Sequence, residues 1–152
     1  MKWLKGIFIV LMLSSCAKTG AEIDAEMKLM IDGTEHVHGN TQSLSPNGLD
    51  EYEFAKKAGS IMVDVKTVDK ALTAGSRDKS YPKCAKETIK ILAFSLAENF
   101  SFARMASALR ANAALYVGMQ NPAVTKSNGA IKDARKTYFD QGCSNALLNR
   151  DK

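Results

Sequence analysis

Apolar residues recur at helical spacing through the middle of this chain. In the most regular run the steps are four, three, four, three and four residues: Phe54, Ala58, Ile61, Val65, Val68 and Leu72. Because an α-helix turns once every 3.6 residues, this spacing places all six side chains on one face. It predicts an amphipathic helix from about Leu49 to Ala74 that Gly75 ends. Residues 61–66 also alternate in polarity, as in a strand, but the helix explains a longer window.

A second helical pattern follows Pro82, a residue that helices tolerate in their first turn. Its apolar positions run on to Gly118: Ala85, Ile89, Leu92, Leu96, Phe100, Ala103, Ala106, Leu109, Ala113 and Tyr116. One helix of about 36 residues would be near 54 Å long, which exceeds what a domain of this size needs. We therefore expect a break around Asn99.

The last third of the chain predicts a loop and then a final helix. Met119–Gly129 contains the turn-forming pairs Asn-Pro and Asn-Gly, so we expect a loop there. The final helix is expected over about Ala130–Leu148, weakened near its end by Gly142. Its inward side would carry four residues: Ile131, Ala134, Tyr138 and Phe139. The predicted fold class is thus mainly α, a small bundle of three to four helices.

The first sixteen residues have the pattern of a secretory signal. Lys2 and Lys5 precede an apolar run over residues 7–13, which is much shorter than the about 20 apolar residues that cross a bilayer. The run ends in Leu13-Ser14-Ser15-Cys16, which resembles the lipobox of bacterial lipoproteins. An ordinary secretory signal followed by a chance cysteine is the alternative.

The resemblance to lipoproteins implies where the protein works. It implies that residues 1–15 are a signal peptide and that Cys16 becomes the first residue of the mature chain. Cys16 would then carry acyl chains, palmitate among them, that attach the protein to a membrane of the cell envelope. Ala17, rather than Asp, follows the anchor. By resemblance to enterobacterial sorting, this implies the outer membrane, facing the periplasm, in a cell that has two membranes.

Residues 16–48 are expected to form the lipid anchor and a flexible tether, and residues 49–152 the helical domain. Thr19 and Glu22 have the spacing of a capping box, which predicts one short helix ending at Asp32-Gly33. The alternative is a hairpin that turns at Asp32-Gly33. Residues 39–48 are rich in Asn, Ser, Thr and Gly, so a mobile loop is expected there. An unstructured tether of this length would let the domain stand roughly 30 Å from the bilayer.

Cys84 and Cys143 are expected to form one disulfide, because an exported chain reaches an oxidising compartment. Three helices running up, down and up would leave these cysteines roughly 20 Å apart, whereas a disulfide needs Cα atoms within about 7 Å. Either residues 119–129 must therefore climb back so that the last helix descends towards Cys84, or the last helix must cross the others steeply.

The charged residues and the motifs indicate no catalysis and no nucleic-acid binding. The formal charge is +5, and +5 − 2 = +3 once Lys2 and Lys5 are removed. This is too little for a nucleic-acid surface without a motif. No catalytic motif is present, so we expect neither an enzyme nor a cofactor. Glu35, His36 and His38 are weak candidates for a metal site, because His-x-His on a strand can point both rings to one side.

These observations favour a lipid-anchored envelope protein that binds another protein, without enzymatic activity. In size, anchor, helicity and disulfide it resembles small helical outer-membrane lipoproteins that escort larger assemblies, such as secretion pilotins. One alternative is an exclusion or immunity lipoprotein of a phage or plasmid. Another is a lipoprotein that binds a metal or small ligand through Glu35, His36 and His38. Lys83, Lys86 and Lys90 are interpreted as a solvated face, and Phe94, Phe100, Phe102 and Met105 as core.

Overall fold

The computed structural model describes residues 17–109 and 113–152, and this part of the chain is a mainly α-helical bundle without strands. It contains four long helices: α1 (Gly20–Ser43), α2 (Glu51–Arg77), α3 (Lys83–Leu109) and α4 (Ala113–Arg135). A π-helical turn (Lys136–Asp140) and a short helix α5 (Cys143–Asn149) follow. The predicted small helical bundle with a disulfide is confirmed. The predicted signal peptide and the predicted lipobox, Cys16 included, lie outside the described residues.

Helix α1 replaces the expected tether. Thr19 and Glu22 form the predicted capping box, but the helix continues through Asp32-Gly33 to Ser43, so the predictions of a tether, a hairpin and a loop over 39–43 are wrong. The reason is burial against the rest of the bundle. Thr34, Val37 and Thr41 face the core, and the two threonine hydroxyls donate to the carbonyls of Met30 and Val37, at 2.8 and 3.0 Å. These bonds let a polar-looking stretch form a buried helix face.

Helix α2 confirms the most regular pattern of the sequence. All six of its predicted apolar residues are buried, and the Asp50 carboxylate accepts a hydrogen bond from the Glu53 amide at its N-terminus. Gly75 does not end the helix, which continues to Arg77. Instead Gly75 is a point of close packing, because a Cβ there would lie 2.9 Å from the Ile89 side chain and 3.1 Å from that of Met30.

Helices α3 and α4 differ from the expected arrangement. Helix α3 runs unbroken through Asn99, whose buried amide donates to Ser95 on its own helix and to Ser127 on α4. Helix α4 covers all of residues 119–129, so the predicted loop is wrong. Its four turn-forming residues all lie on the exposed side of the helix: Asn121, Pro122, Asn128 and Gly129. Burial of Ser127 and Ala130 against α3 outweighs the weak helix preference of these residues.

The final predicted helix is divided into three pieces. Helix α4 passes into the π-helical turn after Arg135, and Gly142 adopts a left-handed backbone (φ 79°) before α5 begins. Of the residues predicted to face inward, Ile131, Ala134 and Tyr138 are buried, and Phe139 is partly buried against the core.

The course of α4 explains how the disulfide forms. Helix α3 carries the chain about 40 Å away from Cys84, and the 23 residues of α4 bring it back by about 35 Å. Cys143 therefore reaches Cys84, with the Cα atoms 5.9 Å apart. The arrangement up, down and up is wrong because α3 continues unbroken to Leu109, so the chain descends only in α4. The expectation that residues 119–129 climb back is also wrong, because they are part of this descending helix. The chain does descend towards Cys84 before it reaches Cys143, as that alternative required.

Candidate functional site

A groove between α3 and α4 is a candidate site on the part of the surface that the structure describes. It has a volume of about 420 Å³ and is open to solvent. Its lining comprises three residues from each helix: Lys90, Ile91 and Phe94 from α3, and Gly129, Ala130 and Asp133 from α4. Phe94 is 52% exposed, whereas the other two phenylalanines of α3 are buried (Phe102) or half-buried (Phe100).

The spacing of these residues on their helices explains the groove. Ile91 and Phe94 are three residues apart and so share a face of α3, while Gly129 and Asp133, four apart, share a face of α4. Gly129 has no side chain, and a Cβ placed there would meet no atom within 4 Å. Gly129 therefore leaves open space on the α4 side of the groove.

The lining suits an apolar side chain. Ile91 packs against the core and Ala130 is buried, so the floor is apolar and held by the bundle. Lys90 and Asp133 carry opposite charges at the edge, so the groove has no net charge. Such a site can bury an aliphatic or aromatic side chain of a partner. Lys90 and Asp133 can then pair with a charged group of either sign beside that side chain. It contains no nucleophile next to a base.

A polar network with buried carboxylates joins the first helix to the end of the chain. Asp24 accepts hydrogen bonds from the hydroxyls of Tyr138 (2.7 Å) and Ser144 (2.5 Å), and Lys28 lies 3.0 Å from its other oxygen. Burial by itself would raise the pKa of Asp24, but these hydrogen bonds outweigh it and hold the pKa below the usual value. Burial, and then the Asp24 carboxylate, raise the pKa of Tyr138.

A second buried carboxylate lies two residues further along α1, on a different side of the helix. Glu26 accepts hydrogen bonds from Lys18 (2.7 Å) and from the hydroxyl of Tyr81. Burial, followed by Glu26, raises the pKa of Tyr81, so this phenol is neutral. The donors around Asp24 and Glu26 come from neighbouring parts of the fold and satisfy both carboxylates. We interpret this network as a structural clamp, because buried charges are retained when they are paired and hydrogen-bonded.

The three weak metal candidates do not form a joint site. The expected strand geometry was wrong, because residues two apart on a helix point to nearly opposite sides. His36 is exposed beside Asn40, whereas His38 is partly buried and its Nδ1 has no hydrogen-bond partner. Glu35 is paired with Arg135. Within residues 17–109 and 113–152, no group of three or more His, Cys, Asp or Glu side chains could hold a metal ion.

Sequence reasoning missed the groove because it assigned the aromatic cluster of α3 to the core. Phe102 is fully buried and Phe100 partly so, but Phe94 and Met105 are exposed, at 52% and 44%. The signal was the helical register. Phe94 lies two residues from Leu92 and from Leu96, both buried, and therefore points away from the face that they share. Of the predicted lysine stripe, Lys90 borders the groove, while Lys83 and Lys86 lie near the start of α3.

No protein-family model, curated protein or solved structure matches this chain. Of the helices that the structure describes, none combines the length and the apolar character needed to cross a bilayer.

Proposed function

We propose that this protein is a lipid-anchored component of a bacterial cell envelope that binds a partner protein through the groove between α3 and α4. It acts without catalysis, as an accessory or escort of a larger assembly. Cys16 carries the lipid and holds the domain at the membrane, which is the periplasmic face of the outer membrane in a cell with two membranes.

The exposed Phe94 beside an apolar groove is the observation that carries this proposal. Full burial of a phenylalanine side chain stabilises by about 1.5–3 kcal/mol, so the exposed half of Phe94 offers a substantial part of this to a partner. Aromatic side chains that fill or border pockets are frequent energetic centres of protein interfaces. The partner is expected to insert one apolar side chain next to Phe94, between Lys90 and Asp133.

A photo-crosslinking experiment in cells tests the groove. A photoreactive phenylalanine at position 94 should yield a discrete adduct with one envelope protein. The control is the same residue at Tyr52, which is 72% exposed on α2 and lies outside the groove. Adducts that are identical from both positions, or no adduct from position 94, would contradict the proposal.

A matched pair of glycine substitutions separates binding from stability. Gly129→Gln should place a side chain in the groove and so abolish the adduct. The variant should remain folded, because a Cβ at this position meets no atom within 4 Å and because replacing a glycine inside a helix is favourable. Gly59→Gln makes the same chemical change on α2, where a Cβ also meets no atom within 4 Å, and should leave the adduct intact.

For the anchor, Cys16→Ser should release the protein from membranes, and unchanged membrane association would refute lipid attachment.

A further inference from the structure

Only a very short connection separates the proposed lipid from the folded body. Helix α1 begins at Gly20, four residues after Cys16. Lys18 is already part of the fold, because its ammonium group lies 2.7 Å from Glu26 and 3.4 Å from Asp78. Cys16 is two residues from Lys18 and so within about 7 Å of it along the chain. The domain therefore cannot stand 30 Å from the bilayer, as an unstructured tether would have allowed.

The C-terminal residues fix this end of the bundle rigidly. The Arg150 guanidinium donates to the backbone carbonyls of Lys18 (2.5 Å) and Ser80 (3.2 Å). The Asp151 carboxylate accepts hydrogen bonds from the amides of Gly20 (2.8 Å) and Ala21 (2.9 Å). The segment after the anchor, the connection between α2 and α3 and the end of the chain thus meet at one end of the bundle. We call residues 17–22, 77–87 and 150–152 the basic end.

The basic end carries most of the net side-chain charge of the mature sequence. Its cations are Lys18, Arg77, Lys79, Lys83, Lys86, Arg150 and Lys152, and its anions are Glu22, Asp78, Glu87 and Asp151. Glu26 is counted with these anions, because it lies 2.7 Å from Lys18. The net charge is thus 7 − 5 = +2. Without Lys2 and Lys5, the sequence has 19 cations and 16 anions, so the rest has 12 cations and 11 anions and a net charge of +1.

The cations of the basic end are more available than its anions. Arg77, Lys79 and Lys83 are exposed, and neither Arg77 nor Lys79 forms an ion pair with another residue that the structure describes. Glu22, Asp78 and Asp151 accept hydrogen bonds from protein groups, whereas Glu87 is half-exposed and lies 3.9 Å from Lys83. Asp78 accepts from Ser80, and this hydrogen bond, opposed by partial burial, holds its pKa below the usual value. The cations therefore dominate the outward field.

We propose that the basic end lies directly on anionic phospholipid headgroups of the membrane that holds the anchor. The inference rests on the proposed lipidation of Cys16, which brings this end to the headgroups. Basic residues held within a Debye length of an anionic surface each add to membrane binding, and a lipid chain with a basic patch anchors more durably than the chain alone. The contact also orients the bundle. Residues 90–94 of the groove lie about 10–17 Å along α3 from Lys83, within reach of a partner at the same membrane.

Vesicle flotation of the unlipidated chain tests the electrostatic contact independently of the anchor. The protein is residues 16–152 with Cys16→Ser, which includes every residue that the structure describes. It should float with vesicles containing phosphatidylglycerol and not with vesicles of phosphatidylcholine alone. Replacing Lys79, Lys83 and Lys86 with Glu should weaken this binding at least about tenfold, because each lysine contributes a several-fold factor near such a surface.

A charge-matched control decides whether position matters. Replacing Lys56, Lys57 and Lys126 with Glu changes the net charge equally but lies far from the basic end, and should weaken binding by less than about threefold. The corresponding Gln variant of the basic end should give an intermediate loss, and melting curves should show that all variants fold. Absence of binding to the anionic vesicles, or equal losses from the two Glu variants, would overturn the inference. The proposed lipidation of Cys16 is tested separately. If it were wrong, mass spectrometry of the protein isolated from cells would show an unmodified Cys16, whatever the result with vesicles.

Discussion

Replacing Gly20 with alanine should destabilise the protein, because this glycine marks the place where α5 closes on α1. A Cβ at Gly20 would lie 1.8 Å from the carbonyl oxygen of Leu147 and 2.6 Å from its carbonyl carbon. Real Cβ atoms essentially never approach another atom more closely than 3.0 Å, so the oxygen must retreat by at least 3.0 − 1.8 = 1.2 Å, and by 3.4 − 1.8 = 1.6 Å for an ordinary contact. Cys143 and Ser144 hold α5 in place through the disulfide and the hydrogen bond to Asp24, so the clash cannot be relieved by a free movement of the helix.

The expected loss is about 2–3 kcal/mol in the free energy of unfolding, the upper part of the range for overpacked sites. Urea denaturation followed by circular dichroism should show a lower midpoint with an unchanged slope. Gly59→Ala is the control, because it makes the same chemical change inside α2 in open space and should stabilise by about 0.5–1 kcal/mol. A Gly20→Ala protein as stable as the wild type would refute the close contact between α1 and α5, and with it the conclusion that the domain begins next to the anchor.

Two further predictions concern stability. Replacing both Cys84 and Cys143 with Ala should lower the free energy of unfolding by roughly 4 kcal/mol, because the disulfide closes a loop over a separation of 59 residues. A loss below about 1 kcal/mol in the same urea assay would contradict this expectation. Burial lowers the pKa of His38 against the weaker influence of Glu35, so the folded state binds fewer protons than the unfolded one. The contribution of His38 to the free energy of unfolding should therefore be fully present above about pH 6.5 and be lost as the pH falls through the pKa of His38 in the folded protein. His38→Gln should flatten the plot of unfolding free energy against pH in this range. Because the pKa of Asp24 is lowered, the stability that this carboxylate contributes should be lost only below pH 3.8. His38→Gln should leave that part of the pH profile unchanged.

The helical register was predictable from the sequence wherever apolar residues repeat on one face. Phe54 to Leu72 specify α2 almost to its ends because six buried positions share a single stripe, and no other element has to be known to recognise it. The same holds for the start of α3 after Pro82 and for the capping box at Thr19. The pairing of Cys84 with Cys143 followed from their number once Cys16 was set aside.

The groove and the basic end depend on contacts that no local pattern contains. Gly129 and Phe94 are 35 residues apart in the sequence, and only the packing of α4 on α3 places them side by side. Likewise Lys18, Ser80 and Arg150 belong to three separate parts of the chain that the C-terminal residues bring together. The resemblance to a lipobox predicts an attachment site at Cys16, but the distance between that proposed anchor and the domain depends on whether α1 is folded.

The sequence alone predicted that the chain is helical and where its most regular helix lies, because these properties follow from periodicity and composition. The pairing of Cys84 with Cys143 was predicted only by setting Cys16 aside as the expected lipid site. Only the tertiary structure decided that residues 20–43 and 119–129 are helical. Their Gly, Asn, Thr and Pro residues prefer turns in isolation, and burial against neighbouring helices, with threonine hydroxyls bonded to their own backbone, outweighs that preference.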